Sequence, residues 1–276
     1  MLTIRRGKPE DNPQIQELLK HVWQDDYVPY MWLDWVNSPN QGIVLVAEAE
    51  GKLIGTTYVA FRPQNTCWFQ ALRVHLDFRR SGVGSQLTQA SIQEAKAAGK
   101  VKVYLGIDSD NTASITLTQG IGFSKISEYI RLTTTNYQAP QNHQTLWRPA
   151  QMEDIEIIYQ DGQARCIKEL LLCWQWQPFS KEALVKFSQE GHLSVWGDGK
   201  IQVWGGLEIF EEIHLFAPQG DEEDTKEAIA DAEDLARQRK ADCLEIWLPQ
   251  GSPLENHLLD KGYALDDGYI IWGYIL

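Results

Sequence analysis

Positive charge is scarce in this chain: 25 Lys and Arg stand against 38 Asp and Glu in 276 residues, a formal net charge of −13. Nucleic-acid binders concentrate Lys and Arg on their contact face, so no nucleic-acid partner is expected. The deficit suits solubility and a cationic substrate. Cysteine is sparse as well. Cys67, Cys166, Cys173 and Cys243 form no Cys-x-x-Cys pair and have no His at ligand spacing. They read as reduced, mostly buried thiols of a cytoplasmic protein, with no metal site expected. No apolar run approaches membrane-spanning length, and Met1-Leu2-Thr3-Ile4 reads as the start of a strand instead of a signal peptide, so no membrane partner is expected. Two phosphate-binding fingerprints are missing too. Ser85-Gln86 stands where a Walker loop carries Lys-Ser/Thr, and Leu87 replaces the third glycine of a dinucleotide motif.

What is present at that point is Val74-His75-Leu76-Asp77-Phe78-Arg79-Arg80-Ser81-Gly82-Val83-Gly84-Ser85. It reads as a strand end, a basic turn and the first turn of an amphipathic helix over Gln86–Ala98. A helix start carries unpaired N–H groups and the positive end of the helix dipole. Gly82 and Gly84 let that backbone approach a ligand, and Arg79 and Arg80 add charge, so the segment suits a phosphate or pyrophosphate.

The spacing Arg79-x-x-Gly82-x-Gly84, with Val74-His75 before it and Ser85-x-Leu87 after it, resembles the acetyl-CoA pyrophosphate loop of the GCN5-related N-acetyltransferases (GNAT). The element order agrees. A strand at Thr3–Arg6, helices at Pro13–Gln24 and Pro29–Val36, a hairpin of Gly42–Glu48 and Lys52–Phe61 turning at Glu50-Gly51, and a strand at Cys67–His75 precede the loop. A strand at Val101–Asp108, a helix at Ala113–Gln119 and a strand at Phe123–Leu132 come after it.

A second copy is written into the chain. Arg5 precedes Asp11 as Arg148 precedes Asp154, each ahead of a helical pattern that the Asp can cap. Gly122–Ile130 aligns without gaps on Gly262–Ile270, and the two matches lie at nearly the same separation, which indicates duplication. The expected architecture is α/β (α+β): two GNAT-like domains at 1–134 and 145–276, each a mixed sheet flanked by helices, joined by a linker at 135–144. In the second copy Ala217–Asp224 stands at the loop position, with acids at 221–224 ahead of a helix over Thr225–Lys240. Those acids would repel a pyrophosphate, so this half reads as a pseudo-domain.

The resemblance implies an N-acetyltransferase that uses acetyl-CoA, without a metal, and passes the acetyl group by direct attack to the amine of a small molecule or amino acid. The alternatives are an acetyltransferase of protein N-termini or lysines, and a non-catalytic CoA-binding sensor. A homodimer is left open. By the same resemblance, Leu72 and Val74 would hydrogen-bond the pantetheine arm, residues 79–85 (Arg79, Arg80, Ser81, Gly82, Val83, Gly84 and Ser85) would hold the pyrophosphate, and Asn111 would open the helix near the thioester. The family's proton-donating Tyr corresponds to Thr118, which has a shorter reach and a far higher pKa, and its strand carboxylate to Trp68, with Gln70 on the same face. Asp26, His75, Asp25 and His21 are the substitute bases. Trp23, Tyr27, Tyr30, Trp32 and Trp35 fall where the family builds its acceptor site, with Tyr27, Tyr30, Trp68 and Gln70 as candidate substrate contacts. This aromatic region together with Trp68–His75 is similar to amino-acid N-acetyltransferases of the histidine type.

Overall fold

The computed structural model describes residues 2–20, 22, 26–137, 144–172, 175–209 and 211–276. The expected linker at 135–144 falls mostly outside them, as do His21, Trp23 and Asp25. Two compact units form. The first comprises Met1–Ile107, Asn111–Ile126 and Ile271–Leu276, and the second Asp108–Asp110 and Ser127–Ile270.

The first unit contains β1 (Leu2–Arg6), α1 (Asn12–Leu19), α2 (Val28–Asn37), β2 (Gly42–Ala49), β3 (Lys52–Arg62), β4 (Thr66–Val74), α3 (Val83–Ala97), β5 (Lys102–Asp108) and α4 (Thr112–Ile121). Strands β1 to β4 pair antiparallel in chain order, and β5 joins β4 in parallel. The β2–β3 hairpin turns where the sequence indicates: Glu50 and Gly51 both have positive φ, 52° and 77°, and Ala49 pairs with Lys52 across the two-residue loop. Helix α1 stops at Leu19, earlier than the expected Gln24. Helix α3 starts at Val83, so Gly84 and Ser85 belong to its first turn.

From its second strand onward the second unit follows the same order, with one extra hairpin between its two leading helices. It contains β6 (Ser124–Thr134), β7 (Trp147–Pro149), α5 (Asp154–Ala164), the hairpin β8 (Glu169–Leu172) and β9 (Gln175–Pro178), α6 (Lys181–Gln189) and β10 (Ser194–Trp196). After these come β11 (Val203–Ile209), β12 (Ile213–Gln219), α7 (Glu222–Arg239), β13 (Leu244–Pro249), α8 (Leu254–Asp260) and β14 (Ala264–Ile275). Its sheet runs β6-β13-β12-β11-β10-β7. Val203, Leu215, Ile246, Ala228, Ala232 and Leu258 form its buried core with Ile130 and Leu132 of β6.

The compact units depart from the expected division at residue 134. Most of β6 pairs with β13, from Tyr129 opposite Pro249 to Thr134 opposite Leu244. The first unit is instead completed by the end of β14. There Trp272 is 4% exposed, Tyr274 packs 5.1 Å from Phe123, and Leu276 N–H donates to Val101 at 3.0 Å. Sequence similarity between Gly122–Ile130 and Gly262–Ile270 hides this, because it does not say with which strand each one pairs.

The repeated Arg–Asp pairs have one structural meaning. Arg5 donates twice to Asp11 at 2.7 and 2.8 Å, and Arg148 twice to Asp154 at 2.6 and 2.9 Å. Each Asp also accepts the backbone N–H three residues upstream, from Lys8 and from Gln151. The aspartates thus lock the strand-to-helix turn to an arginine and do not cap the following helix. Burial pushes the Asp11 carboxyl up, but Arg5 and the Lys8 N–H outweigh it and hold it below the usual range; Arg148 holds Asp154 down in the same way.

Two outcomes are expected. A chain ending at Ile270 loses protease resistance across residues 1–107, read by limited proteolysis and mass spectrometry; unchanged resistance would show the last strand to be dispensable. Because the native Asp154 pKa is depressed, its stabilisation is present above the unfolded pKa of about 3.9 and is lost as pH falls through the native value. Asp154→Asn therefore costs about 2 kcal/mol at pH 7, by urea denaturation, and much less at pH 2.

Candidate active site

The site in the first unit rests on a defect in β4. Thr56 and Tyr58 of β3 face Arg73 and Gln70, so β4 carries one residue more than its partner, and Ala71 takes φ +59°. This is a β-bulge held in the left-handed region, at about 1–2 kcal/mol for a residue with a Cβ. On its other edge β4 pairs with β5 only from Thr66 to Trp68. Beyond Trp68 the two parallel strands part, and among the described residues no ladder joins Phe69–Val74 to β5. Leu72 and Val74, the expected pantetheine contacts, lie in this freed segment, half-buried.

The parted strand leads into residues 75–82 and then α3. Gly82 is its N-cap at φ +86°, a conformation that any side chain would strain. Arg80 is also left-handed, at φ +61°. Gln86 N–H is the first in the helix to find a partner, the Gly82 carbonyl at 3.0 Å. Among the described residues the N–H groups of 80–85 have no acceptor. Six consecutive donors at a helix N-terminus, with Arg79 and Arg80 exposed beside them, form an anion cradle. Ser81 Oγ donates to Phe78 O at 2.6 Å and Arg79 Nε to Val74 O at 3.3 Å, which pins the turn to β4. Val83 is buried beneath it, and Gly84 faces Leu72, Val74 and Leu117 of α4.

The two faces of β4 differ. Val59 pairs with Phe69, which packs toward Phe123 at 6.4 Å behind α4. Tyr58 pairs with Gln70 and Ala60 with Trp68, so Trp68 and Gln70 lie on the Tyr58 face. There Trp35 of α2 stacks on Tyr58 at 4.3 Å, and Tyr27 meets Trp35 edge-on at 6.0 Å. Burial pushes the Tyr58 phenol up, so it stays neutral. Tyr27 is 43% exposed and borders this wall; Tyr30, 82% exposed, points away into solvent, and Trp32 is fully buried as core.

Arg73, which the sequence reading passes over, sits on the same face. Its Nε and Nη2 donate to Asp26 at 2.7 and 3.3 Å, and its guanidinium lies 5.9 Å from the Tyr27 ring. A lone Arg one residue from the end of a mostly apolar strand was the available signal. Asp26 also accepts the Val28 N–H at 3.1 Å and is 6% exposed. Its carboxylate is committed to ordering the entry to α2. His75 Nδ1 accepts the Asp77 N–H at 3.2 Å, capping a 3₁₀ turn. Asn111 caps α4 through Ser114 N–H at 3.1 Å. Thr118 is buried on α4, 5% exposed, where its backbone carbonyl closes the helix end with Phe123 N–H.

The second unit keeps the bulge and discards the cradle. Trp204 and Gly206 face Gln219 and Phe216, and Ala217 takes φ +42°, the counterpart of Ala71. Strand β12 pairs with β13 from Ile213 to Phe216 and then parts from it. Only Gly220 and Asp221 separate β12 from α7, against residues 75–82 in the first unit. A cleft of about 210 Å³ at this point is lined by Asp161, Arg165, Trp204, Asp221 and Asp224. Arg165 is spent inside it, on Asp161 at 2.9 Å, Asp221 at 3.0 Å and Gly220 O at 2.8 Å. The thiols also divide: Cys67 is buried as expected, whereas Cys166 is exposed and Cys243 partly so.

Residues 10–123 match the Acetyltransferase (GNAT) family, and the chain carries a domain of that family. The L-amino acid N-acyltransferase MnaT of Escherichia coli is 29% identical over 141 residues, 44% of this chain and 79% of that protein. The L-methionine sulfoximine/L-methionine sulfone acetyltransferase of Pseudomonas aeruginosa is 33% identical over 101 residues, 33% of this chain and 56% of its own length. A mycothiol acetyltransferase of Saccharopolyspora erythraea is 28% identical over 92 residues, and this chain spans 30% of it. A solved GCN5-related N-acetyltransferase from Sphaerobacter thermophilus shares the fold over 99% of this chain and 95% of its own, with TM-score 0.67 and 17% identity. No helix among the described residues is long and apolar enough to cross a membrane.

Gly84→Glu puts a carboxylate into the cradle where a Cβ meets Leu117 at 3.4 Å, a contact that a flexible side chain can relieve. Acetyl-CoA affinity is expected to fall by about 100-fold, or about 2.7 kcal/mol, by calorimetry, with the circular dichroism spectrum unchanged. Equal affinity in the variant would remove the loop from the cofactor site.

Proposed function

We propose that the first unit is an N-acetyltransferase that moves an acetyl group from acetyl-CoA to the amine of a small molecule or amino acid. The observation that carries this reading is the parted β4 running into six unpartnered N–H groups beside Arg79 and Arg80. The cradle fits a pyrophosphate, and the edge at Leu72 and Val74, whose carbonyls take only long bonds of 3.3 Å from the Arg73 and Arg79 side chains, fits the amides of a pantetheine arm, which would lead the thioester toward Trp68 and Gln70. The relatives support a small acceptor, since two of them are named for amino acids or amino-acid analogues.

Acetyl-CoA supplies an activated acyl group; the chain supplies position. With the cofactor held by backbone, an acceptor against Tyr27, Trp35 and Tyr58 would meet the thioester from the α2 side of the sheet, and proximity provides most of the acceleration. Asp26, the buried carboxylate tied to that face, is held by Arg73. This favours an amine that is easily deprotonated. An α-amine with pKa near 8 costs about 1–1.5 kcal/mol to neutralise at pH 7, against roughly 4–5 for a lysine side chain. An amino acid's α-amine therefore suits the site better than a protein lysine. The thiolate of CoA is a fair leaving group, and Thr118 is not needed as an acid.

The second unit is read as a scaffold that does not take CoA, since its loop is short and its cleft is acidic.

Release of free CoA from acetyl-CoA across a panel of amino acids, polyamines and peptides tests the reading. Turnover on an amino acid is expected. Tight acetyl-CoA binding with no turnover on any amine would favour a sensor. Thr118→Val is expected to leave kcat/KM within about threefold, whereas a loss of roughly 100-fold or more would make Thr118 the proton donor.

A further inference from the structure

The Arg–Asp lock has different surroundings in the two units. In the first, Arg5 Nε donates to Glu48 at 2.8 Å, and Gln14, three residues after Asp11, accepts the Leu53 N–H at 3.0 Å. Two side-chain acceptors thus seal the corner between β1, α1 and the β2–β3 hairpin. Strand register locates their counterparts in the second unit. Arg5 pairs with Val46 and Arg148 with Val195, so Gly197 stands where Glu48 does. Ala47 pairs with Gly55 and Trp196 with Val203, so Ile201 stands where Leu53 does. Ile157, three residues after Asp154, replaces Gln14.

Both acceptors are gone and both donors remain. Arg148 spends Nη1 and Nη2 on Asp154, as Arg5 does on Asp11, but its Nε has no acceptor among the described residues. The Ile201 N–H has none among them either. Gly197, at φ +142°, excludes any side chain that would restore the carboxylate, because a Cβ there would lie 2.0 Å from Lys200 O. At this corner opens a cleft of about 400 Å³, lined by Arg148, Asp154, Ile157, Trp196, Lys200 and Ile201 among others.

We propose that this cleft of the second unit binds a small organic carboxylate with an apolar body. Glu48 shows which chemistry the arginine Nε takes in the first unit, and a ligand carboxylate supplies the same acceptor to Arg148 Nε and the Ile201 N–H. Asp154 is the one carboxylate in the lining, and both its oxygens are held by Arg148. That pair is close to neutral, so attraction falls to Lys200, whose charge no salt bridge among the described residues uses. Ile157, 55% exposed, together with Trp196 and Ile201 gives the cleft an apolar wall. Its volume lies within the roughly 300–1,000 Å³ usual for small-molecule sites. An inorganic anion would leave that wall uncovered, whereas an organic acid of amino-acid size covers it.

Titration of the ¹⁵N-labelled, deuterated full chain with hexanoate, followed by two-dimensional NMR, tests the site. The expected result is a saturable shift of the Arg148 Nε–H signal and of the amides of Gly197–Ile201, with hexanamide and inorganic phosphate binding at least about tenfold more weakly. Ile157→Gln restores the first unit's residue type at an exposed position and keeps the fold, checked by circular dichroism. It is expected to occupy the Ile201 N–H and weaken hexanoate by at least about tenfold, as is Lys200→Met by removing the charge. Absence of a saturable shift at these groups, equal affinity for hexanamide or phosphate, or equal affinity in the native chain and both variants overturns the proposal. Shifts confined to the amides of residues 80–85 would do the same, by placing carboxylate binding in the first unit's cradle.

Discussion

The parting of β4 from β5 is the constraint on which the first unit depends. A parallel ladder that continued past Trp68 would consume the N–H and C=O groups of Phe69–Val74 and close the sheet. The bulge at Ala71 turns β4 away from its neighbour, and its local strain is held by the residues packed around it. Arg73, displaced by one position relative to a regular strand, reaches the Tyr58 face and ties down Asp26 at the entry to α2. Val74 reaches the opposite face, beside Gly84 of α3. One inserted residue therefore sets both the aromatic wall and the basic turn.

The second unit is an internal control. It keeps the bulge, the parted strands and the Arg–Asp lock at the strand-to-helix turn, and differs in the connection from β12 to α7. The fold survives loss of the loop because the bulge and the lock are local, whereas the cradle needs residues 75–82 to carry the backbone outward before α3 begins. Retention of the splay without the long connection shows that the parted strands do not depend on residues equivalent to 75–82.

Much of this was readable in the residues. The hairpin turn at Glu50-Gly51, the helix start beside Gly82 and Gly84, and the paired Arg–Asp signatures all arise from short-range rules, in which a positive φ or a hydrogen bond a few residues away dictates the residue type. The aspartates were legible as a pair with their arginines and misread as helix caps, because spacing alone does not show which donor a carboxylate accepts from. The Asp26–Arg73 contact joins residues far apart in the chain and leaves no motif in the sequence.

The sequence by itself determined the hairpin turn at Glu50-Gly51, the helix start beside Gly82 and Gly84 and the two Arg–Asp pairs, since each rests on nearby residues whose conformation is locally dictated. Tertiary structure decided which last strand completes which unit, because the pairing of Ser124–Thr134 and Ala264–Ile275 joins residues far apart in the chain. It also decided which candidate side chains are already committed. Asp26 and His75 look like free bases in a string of letters; in the folded chain one is held by an arginine and the other by a backbone N–H.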